Sequence, residues 1–368
     1  MCPITINKAL LLQEGILRFE LSWTAVMSYI KEDKKVMKKP FCTLLFLFLF
    51  ILTTSACAAP KTAALLMPGE SYDGDNGFTD SCMSGAEYAQ KRYHNKLSVK
   101  IYKLGENGKS PAELVRAAAV SSELIISVTP EYNKLLAELR KSDKNKIITA
   151  FDHIEAEGIK EIYFRDDEGG FLAGALAAMA ATSDNFPNMR KTGKIGLLLG
   201  ADCPSIERFR TGYIAGSWYI DPEVEVITQY VGNFTDVAKA SEIADTMHKM
   251  GAEVIFTAAG GAGLGAIERA EAGGYWIIGV DTEQEKKHPK AVLTSIIKRS
   301  GSAVFRTIDN YMKGTLQSMD YISLGLSEGG IDISTWNRES KNNIPLAIRN
   351  KLNDIEDKLA NNLIIIKK

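Results

Sequence analysis

The sequence predicts an α/β protein made of two doubly wound lobes, each built on a parallel sheet. Three observations favour this fold class: apolar runs alternate with helical patterns from Lys61 onward, about ten such runs fit into roughly 300 residues, and a polar segment at 183–194 divides them. Alternation of this kind requires right-handed crossovers, so the strands are parallel and both faces of each sheet are covered. Two sheets accommodate about ten strands better than one strongly twisted sheet does.

Each predicted strand is a short apolar run, and each predicted helix is a longer stretch between two such runs. Open α/β sheets bind ligands outside the carboxyl ends of their strands, so two facing lobes place these ends on opposite walls of one cleft. The predicted strands lie at 63–67, 98–104, 124–128, 146–150, 161–164, 194–200, 223–231, 252–258, 275–280 and 291–297. The predicted helices include Asp80–Tyr93, Pro111–Ser122, Glu131–Lys141, Gly170–Ala181, Ser205–Trp218, Asp236–Met250 and Gly263–Ala272.

Two polar segments mark the predicted lobe boundaries. The first, SDNFPNMRKTGK at 183–194, contains Pro and Gly and precedes a fresh strand. The second, EQEKKHPK at 283–290, indicates that the chain crosses back to the first lobe. We therefore expect an N-terminal lobe of 61–187 plus about 291–318 and a C-terminal lobe of 188–290 plus about 319–368.

The amino-terminal region has the composition of an export signal. A basic MKK head begins at Met37, and the apolar run in FCTLLFLFLFILTTSAC is too short for a transmembrane helix of roughly 20 residues. We predict a lipoprotein signal peptide over 37–56, with 1–36 a mis-assigned upstream leader. The TSAC motif ending at Cys57 resembles a bacterial lipobox. Cys57 is therefore expected to carry lipid, including palmitate, and to anchor the protein to the cell membrane, with its globular part in the periplasm or on the outer surface of the membrane.

Composition and motifs argue against several function classes. The formal net charge of -1 offers no basic surface for nucleic acid. Beyond the lipobox, Cys82 and Cys203 are the remaining cysteines, and the sequence contains no CxxC pair or His cluster with metal-ligand spacing. It also lacks the G-x-S-x-G, H-E-x-x-H and P-loop motifs. We predict a binding protein without cofactor or metal rather than an enzyme.

A glycine-rich turn, GGAGLG at 260–265, lies between a predicted strand and a predicted helix. Such a turn lets main chain approach a ligand and presents N–H groups at a helix N-terminus. The register of a dinucleotide fingerprint, G-x-G-x-x-G, is not met, and an export signal argues against NAD as the ligand. Two interpretations stay open: Gly260 contacts a ligand, or the glycines only allow tight packing of the βα unit.

Asp281 and Lys298 each follow a predicted strand, as do the polar segments that hold Phe78 and Phe234. The Asp281 carboxylate could accept two hydrogen bonds from a vicinal diol, or it could cap the following segment. Lys298 could donate to the same hydroxyls, or be solvated. Exposed aromatic rings on opposite lobes could sandwich a flat ring, or each could fold under its own loop.

Several longer segments resemble the basic membrane protein family, whose members are substrate-binding lipoproteins of ABC transporters and whose best-characterised branch resembles a purine-nucleoside receptor. The resemblance covers nearly all of residues 61–335, and it implies a type I periplasmic-binding-protein fold with two lobes joined by three crossovers. The segments that carry it are FRDDEGGFLAGALAAMAA (164–181), KIGLLLGADCPSIERFRTGYIAGSWYIDPEVEVITQYVGNFTD (194–236), AAGGAGLGAIERA (258–270), IIGVDTEQ (277–284) and LGLSEGGIDI (324–333).

The resemblance also implies a ligand site. Phe78 and Phe234 would stack on the base, main chain at Gly260 would approach the nucleoside, and Asp281 and Lys298 would hold the ribose hydroxyls. It further implies roles for Asp75, which fits the later aspartate of a family motif, and for Asp152, which corresponds to an aspartate after a strand-like run.

One position departs from the family pattern. Members usually carry a base-contacting aspartate nine residues before the first stacking phenylalanine, and Gly69 stands there in this chain. Either the loop has shifted so that Glu70 or Asp73 substitutes, or recognition of the base differs. The resemblance implies a receptor that delivers a purine nucleoside to ABC permease and ATPase subunits, and we expect it to be monomeric. The loss of this aspartate makes a sugar or signalling molecule the alternative ligand.

Overall fold

A computed structural model describes residues 59–367, apart from short gaps at 70–72, 75–76, 153, 155, 185, 187–188, 317–320 and 335–337. Residues Ala59–Lys368 form one compact unit. The predicted upstream leader, the signal peptide, Cys57 and Asp75 lie outside the described residues. Within the described part, no helix has the length and apolarity that a membrane span requires.

The described strands form two mostly parallel sheets, as the sequence predicts. The first sheet contains β1 (Lys61–Met67), β2 (Leu97–Lys103), β3 (Leu124–Ser127), β4 (Ile147–Phe151), β5 (Lys160–Phe164) and β11 (Tyr321–Leu324), in the order β11-β5-β4-β3-β1-β2. The second contains β6 (Lys194–Leu199), β7 (Glu225–Tyr230), β8 (Val254–Ala258), β9 (Trp276–Asp281), β10 (Val292–Lys298) and β12 (Ile331–Ile333), in the order β12-β10-β9-β8-β6-β7. Strand β12 is antiparallel to β10.

Helices connect the strands and cover the sheets. They are α1 (Phe78–Tyr93), α2 (Pro111–Ser121), α3 (Asn133–Ser142), α4 (Asp166–Thr182), α5 (Pro204–Ile220), α6 (Val237–Lys249), α7 (Gly263–Gly273), α8 (Ser300–Lys313), α9 (Arg338–Asn343) and α10 (Leu346–Ala360). Together with the two sheets they confirm the predicted two-lobe α/β fold. We call the parts built on the first and second sheets the first and second lobes.

The predicted lobe boundaries differ from the observed sheets at two strands. Strand β10, expected at the start of the return to the first lobe, pairs with β9 in the second sheet. Strand β11, expected in the second lobe, pairs with β5 in the first sheet. The polar segment 283–290 is a turn between two neighbouring strands of one sheet, and its composition does not distinguish that role from a crossing between lobes. The described chain crosses between the sheets at 164–166, 298–300 and 324–331, so the first crossing precedes the helix Asp166–Thr182 and does not lie at the predicted boundary 183–194.

The small residues of α4 let it pack against α5 with the two main chains in contact. A Cβ at Gly174 would lie 2.0 Å from the carbonyl oxygen of Tyr213, and a Cβ at Gly212 would lie 2.0 Å from that of Asp167. Either helix would have to move to accept a side chain there. This packing places the first turn of α4, at the crossing between the lobes, beside the first turns of α5.

Candidate ligand-binding cleft

A cleft of about 480 Å³ lies between the carboxyl ends of the two sheets. Residues directly after β1, β3 and β4 form one wall, and residues at or after the ends of β6, β8 and β9 form the other. The volume falls within the usual range for small-molecule sites. The cleft therefore occupies the place that the strand topology predicts.

Six of the predicted ligand residues lie together at this cleft. Phe78 and Asp152 belong to the first lobe, and Phe234 and Gly260 to the second. The six cleft-lining residues are Phe78, Asp152, Phe234, Gly260, Asp281 and Lys298. Their roles toward a ligand remain predictions.

The rings of Phe78 and Phe234 are each held by protein contacts. Phe78 begins α1 and packs edge-to-face on Phe151, with ring centroids 6.1 Å apart. Phe234 lies over Gly200, where a Cβ would come within 2.3 Å of the ring. Gly260, at φ 55°, approaches the Cβ of Phe234 so closely that a methyl group there would sit 3.2 Å away. Gly260 thus both lines the cleft and leaves room for the aromatic side chain.

Asp152 and Asp281 stand at the carboxyl ends of strands in an unusual backbone conformation. Their φ angles are 63° and 69°, in the left-handed region that aspartate tolerates better than most residues. Glu283, and not Asp281, occupies the N-cap position of the short helical turn that follows β9. The interpretation of Asp281 as the cap of that turn is therefore wrong. Backbone conformations of this kind are concentrated at functional sites.

Lys298, at the end of β10, is buried and ion-paired, so the interpretation of it as a solvated lysine is wrong. Its Nζ lies 2.9 Å from Oδ1 of Asp166 and donates a hydrogen bond to Oγ of Ser205 at 2.9 Å. Burial opposes the charge on the ammonium, but the carboxylates of Asp166 and Asp152 outweigh it, and the pKa of Lys298 is raised. A cation is therefore fixed at the floor of the cleft.

Three residues that the sequence reasoning missed organise this floor. Asp166 is fully buried at the start of α4, and its Oδ2 accepts hydrogen bonds from Ser205 Oγ at 2.7 Å and from Arg208 Nη2 at 2.8 Å. Arg208 also donates to Oδ1 of Asp152. We call Asp166, Lys298, Arg208 and Ser205 the charge cluster. Asp166 lies two residues after a strand in FRDDEGG, a signal that could have identified it. Arg208 lies inside a helical pattern that gave no such signal.

Of the two residues suggested in place of the missing base-contacting aspartate, Asp73 is the one that the structure describes. Asp73 is exposed and forms an ion pair with Lys103. Glu70 lies outside the described residues. Glu131 lines the cleft on the first lobe, and its carboxylate accepts a hydrogen bond from the hydroxyl of Thr129. Among the described residues no group of three or more His, Cys, Asp and Glu side chains could hold a metal ion.

Residues 61–368 match the family model described as ABC transporter substrate-binding protein PnrA-like, named Bmp. The chain belongs to this family. Basic membrane protein D of Borreliella burgdorferi is 30% identical over 341 residues, which cover 89% of this chain and 95% of that protein. Basic membrane protein A of Borreliella afzelii is 27% identical over 300 residues, 79% of this chain and 87% of that one.

Solved structures of related architecture support the same fold. An ABC transporter solute-binding protein from Aeropyrum pernix K1 aligns with a TM-score of 0.71 at 22% identity, covering 84% of this chain and 94% of that one. A periplasmic solute-binding protein from Actinobacillus succinogenes 130z with bound D-allose aligns with a TM-score of 0.57 at 16% identity, covering 77% and 99%. At these identities the likeness concerns the fold alone. The family resemblance seen in the sequence is confirmed, and the PnrA-like family is one of substrate-binding proteins of ABC transporters.

The charge cluster yields a stability prediction. Replacing Asp166 with Ala leaves Lys298 and Arg208 without the buried carboxylate they share, and we expect the free energy of unfolding to fall by about 3–5 kcal/mol. Urea denaturation of residues 59–368 measures this loss. As the control, Asp354→Ala breaks an exposed pair with Lys358, whose atoms lie 2.6 Å apart, and should cost less than about 1 kcal/mol. Equal losses in the two variants would contradict the role of the cluster.

Proposed function

We propose that this protein is the lipid-anchored receptor of an ABC importer and that it binds a purine nucleoside in the cleft. The observation that carries the proposal is the convergence of two aromatic rings, one from each lobe, with the carboxylate of Asp281 and the ammonium of Lys298 in one cavity. A nucleoside offers the matching pair of surfaces, since it has a flat apolar base and a polar sugar. The family is one of ABC substrate-binding proteins, which supports delivery of the ligand to a permease.

The base would lie between Phe78 and Phe234. Both rings line the cleft, and Phe151 and Phe209 add apolar surface to it. Stacking on an aromatic ring contributes about 1 kcal/mol beyond the burial of apolar area. Stacking on two rings from opposite lobes would therefore also stabilise the cleft when it is closed around a planar ligand.

The ribose would lie against Asp281 and Lys298. A carboxylate accepts hydrogen bonds from hydroxyls and an ammonium donates to them, so the two groups suit the 2′ and 3′ hydroxyls together. The described cleft lining contains four acidic side chains, Glu131, Asp152, Asp202 and Asp281, and Lys298 is the basic residue among them. This charge balance disfavours a phosphorylated ligand, and supports a nucleoside over a nucleotide.

A sugar is the second candidate ligand. Gly69, at the position of the usual base-contacting aspartate, has no side chain to offer a base, and a neighbour of the same fold holds D-allose. Under this alternative the polar cleft residues would bind hydroxyls and the phenylalanines would pack on the sugar ring. The two candidates differ in how strongly they depend on both aromatic rings.

Substitution of the aromatic residues separates the candidates. We expect residues 59–368 to bind inosine, adenosine or guanosine with a Kd below about 100 μM, or about 5.5 kcal/mol, by isothermal titration calorimetry. Phe78→Ala and Phe234→Ala should each weaken binding about fivefold or more. Phe305→Ala is the matched control. The ring of Phe305 packs on Tyr88 away from the cleft, so this substitution should leave Kd unchanged.

Absence of binding to all three nucleosides would refute the nucleoside assignment. Binding of a free hexose with a Kd that Phe78→Ala and Phe234→Ala leave unchanged would favour the sugar alternative instead.

The lipid anchor is tested on the precursor. Cys57→Ser removes the thiol that would carry the lipid, so we expect no incorporation of labelled palmitate when this variant is expressed in a bacterial host. Cys42→Ser, within the predicted signal peptide, should still be labelled. Persistent labelling of the Cys57 variant would disprove lipidation at this residue.

A further inference from the structure

Arg208 lies on α5 in the second lobe, yet its guanidinium contacts groups of the first lobe. Nη2 donates to Oδ1 of Asp152 at the end of β4, and the guanidinium carbon lies 4.4 Å from the centroid of the Tyr163 ring on β5. Nε and Nη2 also donate to Oδ2 of Asp166, at 3.2 Å and 2.8 Å, where the chain first crosses between the lobes. One side chain therefore joins both walls of the cleft and the crossing behind them.

The surroundings make this contact strong. The Arg208 side chain is only 12% exposed and Asp166 is fully buried, so solvent screens their attraction weakly. The planar guanidinium contacts two carboxylates and lies over the Tyr163 ring, a combination that a lysine cannot reproduce. Burial opposes the charge, but Asp166 and Asp152 outweigh it and raise the pKa of Arg208 further above its usual value. The cation is therefore permanent at any physiological pH.

We propose that Arg208 is a positioning residue that holds the two lobes together across the cleft and fixes the carboxylate of Asp152 at its wall. This inference rests on the proposed function, because it concerns closure of the cleft around the nucleoside. The contacts of Arg208 are with protein groups of both lobes, so they stabilise the closed arrangement by the same factor whichever ligand is bound. Arg208 thus sets how long a ligand is retained, while the cleft residues set which ligand is chosen.

The test compares Arg208→Met with Arg210→Met in residues 59–368. Arg210 lies on the same helix, but it pairs with Glu207 of that helix, Nη2 to Oε1 at 2.6 Å, so its loss breaks no contact between lobes. For Arg208→Met we expect a larger radius of gyration by small-angle X-ray scattering without ligand. We also expect dissociation rates of inosine, adenosine and guanosine to rise by a common factor of about ten. Arg210→Met should change neither quantity.

Each outcome decides the inference. An unchanged radius of gyration with unchanged dissociation rates overturns it, and so does an effect on one nucleoside alone, which would indicate direct contact with the ligand. If the wild-type protein binds none of the three nucleosides while Arg208→Met still expands the molecule, the proposed ligand is wrong and the inference stands. If Arg208→Met does not fold, Arg208→Lys takes its place: it keeps the charge but not the planar contacts, and wild-type behaviour of this variant overturns the inference.

Discussion

The buried carboxylate of Asp166 is the interaction on which the rest of the site depends. It neutralises two cations, Lys298 from β10 and Arg208 from α5, at the point where the chain crosses between the lobes. Two like charges could not be buried side by side without it. The same carboxylate fixes Ser205 and, through Arg208, the orientation of Asp152. Asp166, which does not itself line the cleft, thus holds the polar groups of the cleft floor in place.

The small residues of α4 are what allow this arrangement. With glycines at its contact with α5, the helix lies close enough for Asp166 and Arg208 to meet, and Asp166 is fully buried. The apolar part of the cleft also depends on glycines, because Gly200 and Gly260 leave the space that the ring of Phe234 fills. The glycines of α4 therefore determine where the polar groups of the cleft lie, and Gly200 and Gly260 determine where the ring of Phe234 lies.

Local patterns predicted β1 to β10 and the helices between them, because each of these elements has a buried face of its own, but they did not predict the short strands β11 and β12. The side chains after the strands were predictable too, since parallel strands gather their carboxyl ends at one edge. The sheet to which β10 belongs was not predictable, because a polar turn has the same composition within one sheet as between two. Arg208 was also missed, because its partners Asp152 and Asp166 are far away in sequence and only tertiary packing joins them.

The central claim is that the cleft recognises a ribose through its hydroxyls. The most direct measurement compares the Kd of inosine with that of 2′,3′-dideoxyinosine, which has the same base but lacks the 2′ and 3′ hydroxyls of the ribose. Removal of the hydroxyls leaves the charged groups of Asp281 and Lys298 without ligand partners, so we expect the dideoxy compound to bind on the order of a hundredfold more weakly. Equal affinities for the two compounds would contradict the account.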